Sequence, residues 1–492
     1  MKNASIPNWA SYGILLIAAF LFVFLFSCTT SPLYIHHPFW FHDDSGIFQE
    51  MGMCLAQGGT PYLDLFDHKG PILWFLQAFG ILISPQWGLM ALQTIFLFFT
   101  LLVWYKTTLL LIDKQIPSLI VSILGLLFLM AFYERGNLCE EWSLPFISLP
   151  VYLYFKRWKK STYNYKKVPI YTHTDTLILG LCVGVLSMIR LNNTAPIIGF
   201  ALWHFIRCIQ RKEYKRMWTD VALICGGMAF IFMLCVVFYL IKAGWSGVYE
   251  MIYGTFIYNV LYINDTSNVT FKTYLNNYFA PLGFLIISTI CVFHKKESLN
   301  VSLPLIISYI VTLLAIGHFA FFHYMMIFIP LFIVSIGLII HTSTRVAYFI
   351  TGLIIIYAIN IGYDAIDHLV FRMRGKQADT VVNDGFHRFI ESLPPNERKS
   401  IYNNGLNCMG AGMFVDENIY QCNRFIYNHF DISDHLREYA ETHGIKDLQP
   451  TWVLTQSPRP EANDEYLATH YTLADSIPGG QFDPIWCWKK KN

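Results

Sequence analysis

The chain has 492 residues, of which 54% are hydrophobic and only 14% charged. Soluble domains carry about 25% charged residues, so a wholly soluble protein is excluded and a polytopic integral membrane protein is expected. The formal net charge of +2, with no long basic or acidic tail, gives nucleic acid nothing to hold.

Lys2 precedes about twenty apolar residues, Tyr12 to Thr30, with no small-residue cleavage site, so this segment reads as a first span and not a removed signal. Further apolar runs predict spans near 87–111, 117–133, 142–155, 176–190, 194–209, 219–241, 278–293, 300–317, 324–340 and 346–362. Pro71 to Ser84 is ambiguous: as a helix it reaches roughly 21 Å, short of a hydrocarbon core of about 30 Å. Loop charge resolves it. Lys156, Arg157, Lys159, Lys160, Lys166 and Lys167 mark one cytoplasmic loop, and Arg207, Arg211, Lys212, Lys215 and Arg216 another. Counting back, parity holds only if 71–84 lies in the interface. The expected fold is therefore mainly α, with about 11 transmembrane helices plus interfacial helices, the N-terminus inside and the C-terminus outside. Aromatic content of 17% suits interfacial belts among membrane lipids.

Between the first two spans lies FHDDSGIFQEMGMCLAQGGTPYLDLFDHKGP, residues Phe41 to Pro71, the densest concentration of chemistry in the chain. Ile47, Phe48, Met51, Cys54 and Leu55 form one apolar stripe of a helix lying flat in the interface, which Gly58-Gly59 ends. Asp43 and Asp44 head that helix. N-capping uses one carboxylate and leaves its neighbour for catalysis or metal binding. Asp67-His68-Lys69 puts a cation at the membrane boundary, where Lys69 either snorkels or neutralises a lipid-linked phosphate.

The loop from Glu134 to Glu141 falls on the same outer side in this topology. Glu140 and Glu141 open a span, either as a solvated helix start or as a second acidic arm binding a divalent cation or orienting an acceptor. Arg190, in IRLNN, ends a span on the side where positive charge is disfavoured. An intramembrane cation of this kind is a functional candidate, here for phosphate. His318 and His323 flank a short outer turn, as part of an aromatic belt or as ligands.

From Tyr363 the composition turns polar. Residues 1–362 are expected to form the membrane domain, with an outer catalytic loop at 31–86, and 363–492 a small extracytoplasmic α/β domain. Its helices are predicted at Thr380–Leu393 and Asp434–His443 and its strands at Ser400–Tyr402, Thr451–Leu454 and Pro484–Trp488. The 11 cysteines show no metal-ligand spacing; Cys408 and Cys422 could pair if their region is extracytoplasmic. No Walker loop, dinucleotide fingerprint, GxSxG or HExxH stands in a supporting context.

Asp44-Ser45, Pro61-Tyr62 with Asp64-Leu65-Phe66-Asp67-His68-Lys69-Gly70-Pro71, and Gly136-Asn137-Leu138-Cys139-Glu140-Glu141 together resemble motifs of the GT-C superfamily of membrane glycosyltransferases. The similarity is greatest to the group containing protein O-mannosyltransferases and the lipid A aminoarabinose transferase, and covers roughly residues 10–360. The resemblance implies transfer of a sugar from a polyprenyl-phosphate donor to a lipid, protein or polysaccharide acceptor outside the cytoplasmic membrane. By analogy the aspartate heading the interfacial helix is the general base, which favours Asp44 over Asp43. Lys69, His68, Arg190, Tyr62, Glu140, Glu141, Asn137 and His323 are the candidate substrate-binding residues. An acidic residue precedes the lysine in the aminoarabinose transferases where His68 stands here, so no metal ligands are assigned, and a divalent cation is left open as cofactor.

Two other classes compete. A transporter or glycolipid flippase would place paired charges mid-membrane, often in inverted repeats; here the ionisable residues cluster at one surface and no repeat is evident. The other is a non-catalytic membrane scaffold or partner in cell-envelope polysaccharide assembly and export, with a sensor domain outside.

Overall fold

A computed structural model of the protein describes residues 6–34, 44–161, 171–265, 278–294, 299–316, 321–342, 345–373, 381–426, 433–456, 458, 465–479 and 483–491. Asp43 and His318 lie outside these, as does the side chain of Cys408. The fold is mostly helical, with one small sheet, and the chain divides into two compact units.

The first unit comprises residues 1–26, 92–235 and 266–369. It contains α1 (Asn8–Phe26), most of α4 (Gly88–Ile112), α5 (Gln115–Phe132), α6 (Cys139–Ser161), α7 (His173–Ser187), α8 (Ala195–Gln210) and the first part of α9 (Tyr214–Ile252). The apolar helices α11 (Phe279–His294), α12 (Leu299–Ile316), α13 (Ile329–Thr342) and α14 (Arg345–Ile361) follow. Five helices among the described residues are long and apolar enough to cross a membrane: Asn8–Phe26, Gly88–Ile112, Gln115–Phe132, Tyr214–Leu261 and Phe322–His341. Aromatic packing forms the core, where the Phe328 and Phe332 rings lie 7° from parallel at 6.1 Å and Phe284 stacks on Phe332 at 4.7 Å. Helices α8 and α12 cross without room for a side chain: a Cβ on Gly199 would sit 2.3 Å from the Ser308 backbone nitrogen. The start of α7 is a capping box. Thr172 and Asp175 exchange hydrogen bonds, and Arg157 clamps the Asp175 carboxylate at 2.7 Å.

The second unit comprises residues 27–91, 236–265 and 370–492. The segment 27–91, the end of α9 and the C-terminal residues therefore belong to one body. Helix α2 (Asp44–Ala56) packs on α3 (Pro71–Ile83) so closely that a Cβ on Gly52 would lie 2.4 Å from the Gln77 side chain. Pro71 starts α3 at its first position, where its missing N–H has no helical partner to lose. Of the predicted stripe of α2, Ile47, Phe48, Met51 and Cys54 are buried and Leu55 half-buried, but Gln49 and Glu50 are buried too. Gln49 donates to the Thr29 carbonyl and the Ser45 hydroxyl, and Glu50 accepts from the Gln421 backbone N–H. This helix is enclosed and not an amphipathic surface helix, because polar partners from remote segments close over its polar face. Helix α9 breaks at Gly244, whose φ of 66° and ψ of −159° leave the helical region. It continues as a π-helical turn, Tyr253–Ile257, and α10 (Tyr258–Asp265).

The C-terminal residues build a four-stranded sheet in the order β1-β2-β4-β3, from β1 (Ile401–Asn404), β2 (Trp452–Thr455), β3 (Tyr471–Ile477) and β4 (Ile485–Lys490). β1 and β2 are parallel, in register Ile401 to Trp452, and the remaining pairs are antiparallel. Strand alternation sends Trp452, Leu454, Ile485 and Cys487 to one face, against Val382, Phe386, Phe389 and Phe414 of the helices. Val453 and Trp488 turn to the other face, with Ile445 and Leu467. Helices Val381–Ser392 and Asp434–Thr442 and strands β1, β2 and β4 fall where hydrophobic periodicity places them. β3 does not announce itself: its five middle residues are exposed, so it carries no alternation. Cys422 is a free thiol, pushed up to about 12 by burial.

Candidate active site

In the second unit, Asp44 is the first residue of α2 and half-buried. Among the described residues its carboxylate has no hydrogen-bond or ion-pair partner. The 61–71 loop is held by three anchors. Tyr62 adopts φ 73°, a conformation disfavoured for a bulky side chain, and donates its hydroxyl to the Lys69 carbonyl at 2.6 Å. Its ring packs on Trp74, Phe66 and Tyr239, and Gly254 in the π-helical turn comes so close that a Cβ there would lie 2.7 Å from the ring. Asn259 donates to the His68 carbonyl at 2.8 Å. The Phe66 N–H donates to the Arg424 carbonyl at 2.7 Å, bridging the loop to the C-terminal residues.

These anchors bury Asp67, His68 and Lys69 almost completely. The Lys69 ammonium can only donate, so at 3.0 Å it meets an acceptor at His68 Nε2. The imidazole proton is then on Nδ1, which faces Asp67 Oδ1 at 3.4 Å. Lys69 Nζ lies 4.0 Å from Asp67 Oδ2 and 5.5 Å from the centre of the Phe48 ring, on α2. The result is a desolvated cation in a fixed orientation, joined to a carboxylate through a neutral histidine.

The first unit brings together Arg190, Glu140, Glu141, Asn137 and His323. Residues 134–137 are all left-handed: Glu134 (φ 38°), Arg135 (77°), Gly136 (87°) and Asn137 (59°). Three non-glycine residues, Glu134, Arg135 and Asn137, thus adopt this disfavoured conformation around a single glycine, and backbone strain of this kind concentrates at functional sites. Buried Glu141 holds the loop by accepting from the Asn137 N–H at 2.7 Å, Tyr133 Oη at 2.8 Å and Gln93 Nε2 at 3.0 Å. Asn137 Oδ1 accepts from Trp142 Nε1 at 2.9 Å. Glu140 instead accepts from Arg190 Nη1 at 2.7 Å. The Arg190 guanidinium also lies 3.9 Å over the Tyr324 ring and donates to its hydroxyl. Next to Tyr324, His323 Nδ1 pairs with Glu134 at 2.5 Å.

Tyr324, Gln93 and Tyr133 were not among the candidates read from the sequence. Tyr324 adjoins His323, and that adjacency was the one signal available. The other two are ordinary span residues until the fold brings them to Glu141. Among the described residues, the acids of the 134–141 loop do not gather as metal ligands. Three or more such side chains converge only at His204, Cys208 and Asp220.

No protein-family model and no curated protein sequence matches the chain. Solved structures do. The Archaeoglobus fulgidus oligosaccharyltransferase, in complex with zinc and sulfate, aligns with a TM-score of 0.53 at 14% identity over 89% of this chain and 67% of its own. ArnT from Cupriavidus metallidurans aligns with a TM-score of 0.56 at 10% identity over 98% of both chains, bound to undecaprenyl phosphate and in the apo state alike. At such low identity the likeness is one of architecture: the chain shares the overall fold of these two proteins.

Proposed function

We propose that the protein is an inverting membrane glycosyltransferase that moves a sugar from a polyprenyl-phosphate carrier to an acceptor hydroxyl on the extracytoplasmic face. The observation that carries this reading is the full-length likeness to ArnT, a protein crystallised with undecaprenyl phosphate. The motif loops at 61–71 and 134–141 support it, being built around strained backbone and buried charge.

Asp44 takes the proton of the acceptor hydroxyl as that oxygen attacks the anomeric carbon. The bond from that carbon to the phosphate oxygen breaks, the lipid phosphate leaves with the electron pair, and the configuration inverts. Lys69 stabilises the charge growing on the departing phosphate, a role for which Arg190 is the cation that the first unit offers. His68 and Asp67 keep Lys69 oriented, Tyr62 fixes its backbone, and Glu140 with Tyr324 aims Arg190. Asn137 and Glu141 hold the strained loop, and His323 offers a polar edge beside Tyr324. The archaeal neighbour contains zinc. Here Glu140 is paired with Arg190 and Glu141 is saturated by internal donors, a poor fit to a cation site, so no step runs through a metal.

The test compares wild type with Asp44→Asn in proteoliposomes supplied with polyprenyl-phosphate sugars, with substrate uptake measured in parallel. Transfer by wild type that the substitution abolishes supports the reading. Uptake without transfer would favour a transporter, and transfer indifferent to Asp44→Asn would remove the proposed base.

A further inference from the structure

Away from these loops, the first unit gathers three side chains of a different chemistry. His204 and Cys208 stand one turn apart on α8 and so share a face. Asp220, in the second turn of α9, meets them there. All three are buried, with exposures of 2%, 0% and 0%. His204 Nε2 is 2.9 Å from Asp220 Oδ2 and 3.9 Å from Cys208 Sγ, and the three ligand atoms lie within 4.8 Å of one another. We infer that His204, Cys208 and Asp220 form a zinc-binding site.

A histidine–aspartate pair explains two of these residues but needs no thiol facing the same imidazole nitrogen. Zinc explains all three. Zinc bonds of about 2.0–2.3 Å in tetrahedral geometry separate nitrogen from oxygen by about 3.3 Å and nitrogen from sulfur by about 3.6 Å. The two histidine separations, 2.9 and 3.9 Å, straddle these values, and the thiol and carboxylate lie within 4.8 Å of each other, so side-chain movement alone closes the site. A nitrogen, a sulfur and an oxygen ligand select zinc over magnesium or calcium, which take oxygen donors.

The surroundings orient the carboxylate. Asp220 Oδ1 is held by His173 Nδ1 at 2.7 Å and by Thr176 Oγ1 at 3.1 Å, which directs Oδ2 towards His204. Arg216 Nε, 3.6 Å from Oδ2, shares this carboxylate and must yield Oδ2 to the metal. Binding expels the Cys208 thiol proton to solvent, and the dipositive ion with one thiolate and one carboxylate is then neutral. Water completes the tetrahedron.

The full-length protein, purified in detergent and stripped with chelator, is titrated with Zn²⁺ against a chromophoric competitor and separately with Co²⁺. The expected result is one equivalent of metal, with a thiolate-to-cobalt absorption band. That band should be absent in Cys208→Ser, and zinc affinity should fall by at least about 100-fold in Cys208→Ser and Asp220→Asn. Wild-type protein that binds no zinc at micromolar concentration overturns the inference, as does binding that survives Cys208→Ser unchanged. Should a variant fail to fold, the wild-type cobalt spectrum decides: bound metal without a thiolate band refutes the site.

Discussion

Arg190 donates through Nη1 to Glu140 Oε1 at 2.7 Å while its guanidinium lies 3.9 Å above the Tyr324 ring. An arginine held from two sides is aimed before any substrate arrives, and a planar fork does this where a point charge cannot. Arg190→Lys should therefore lower transfer by about 10²–10³-fold, the scale for losing a preorganised donor to developing charge. Expression should stay normal. Turnover of the lysine variant within about threefold of wild type would refute the phosphate role.

Removing Glu140 acts differently. Glu140→Ala leaves Arg190 without its carboxylate in a buried setting, which typically costs about 3–5 kcal/mol. The expected outcome is a lower melting temperature in detergent, with Glu140→Gln losing much less because the amide oxygen still accepts. Equal melting of the two variants would show that the pair contributes nothing to stability.

Asp44→Asn should reduce transfer by about 10²–10⁴-fold, the usual contribution of a positioned general base. Because no described residue pairs with the Asp44 carboxylate, its melting temperature should match wild type. A large drop in stability would instead assign the residue to holding its own helix.

Gly254→Ala tests the anchoring of the 61–71 loop. The added methyl would come 2.7 Å from Tyr62 Cδ1, in a ring fixed on its other sides. Overpacking of this kind costs about 1–3 kcal/mol, and displacing Tyr62 should also lower transfer through Lys69. Wild-type stability and turnover together would mean that the ring yields freely.

Glu50 predicts a pH dependence. Burial raises its carboxyl to about 8, against the pull of the Gln421 N–H. Between its ordinary value of 4.5 and about 8 the folded protein binds a proton that the unfolded chain has lost, so stability falls as pH rises through that window. Glu50→Gln keeps an acceptor for Gln421 and removes the titration. Melting curves in detergent from pH 5 to 9 should show the variant gaining on wild type towards pH 8. Parallel curves would place Glu50 in a solvated state.

What could be read along the chain was whatever is local. The stripe Ile47, Phe48, Met51 and Cys54 marked α2, Gly58-Gly59 its end, Pro71 the start of α3, and the short apolar runs at 452–455 and 485–490 two strands of the sheet. The charged loops stood out because charge is rare in so apolar a chain. Hidden were relationships set by distance: Glu50 meets Gln421 across 371 positions, Arg424 meets Glu250 across 174, and Arg190 meets Glu140 across 50. The edge strand β3 was hidden too, since its middle residues are exposed on both faces and show no alternation.

Hydropathy and turn chemistry act over a few residues, so the order of letters was enough to decide the membrane class, the main helices and the two loops proposed to carry the chemistry. Which buried carboxylate faces a cation, which faces only neutral donors and which keeps its proton were decided by the folded chain. A buried charge takes its partner from whatever remote segment packing sets beside it, and no local pattern encodes that neighbour.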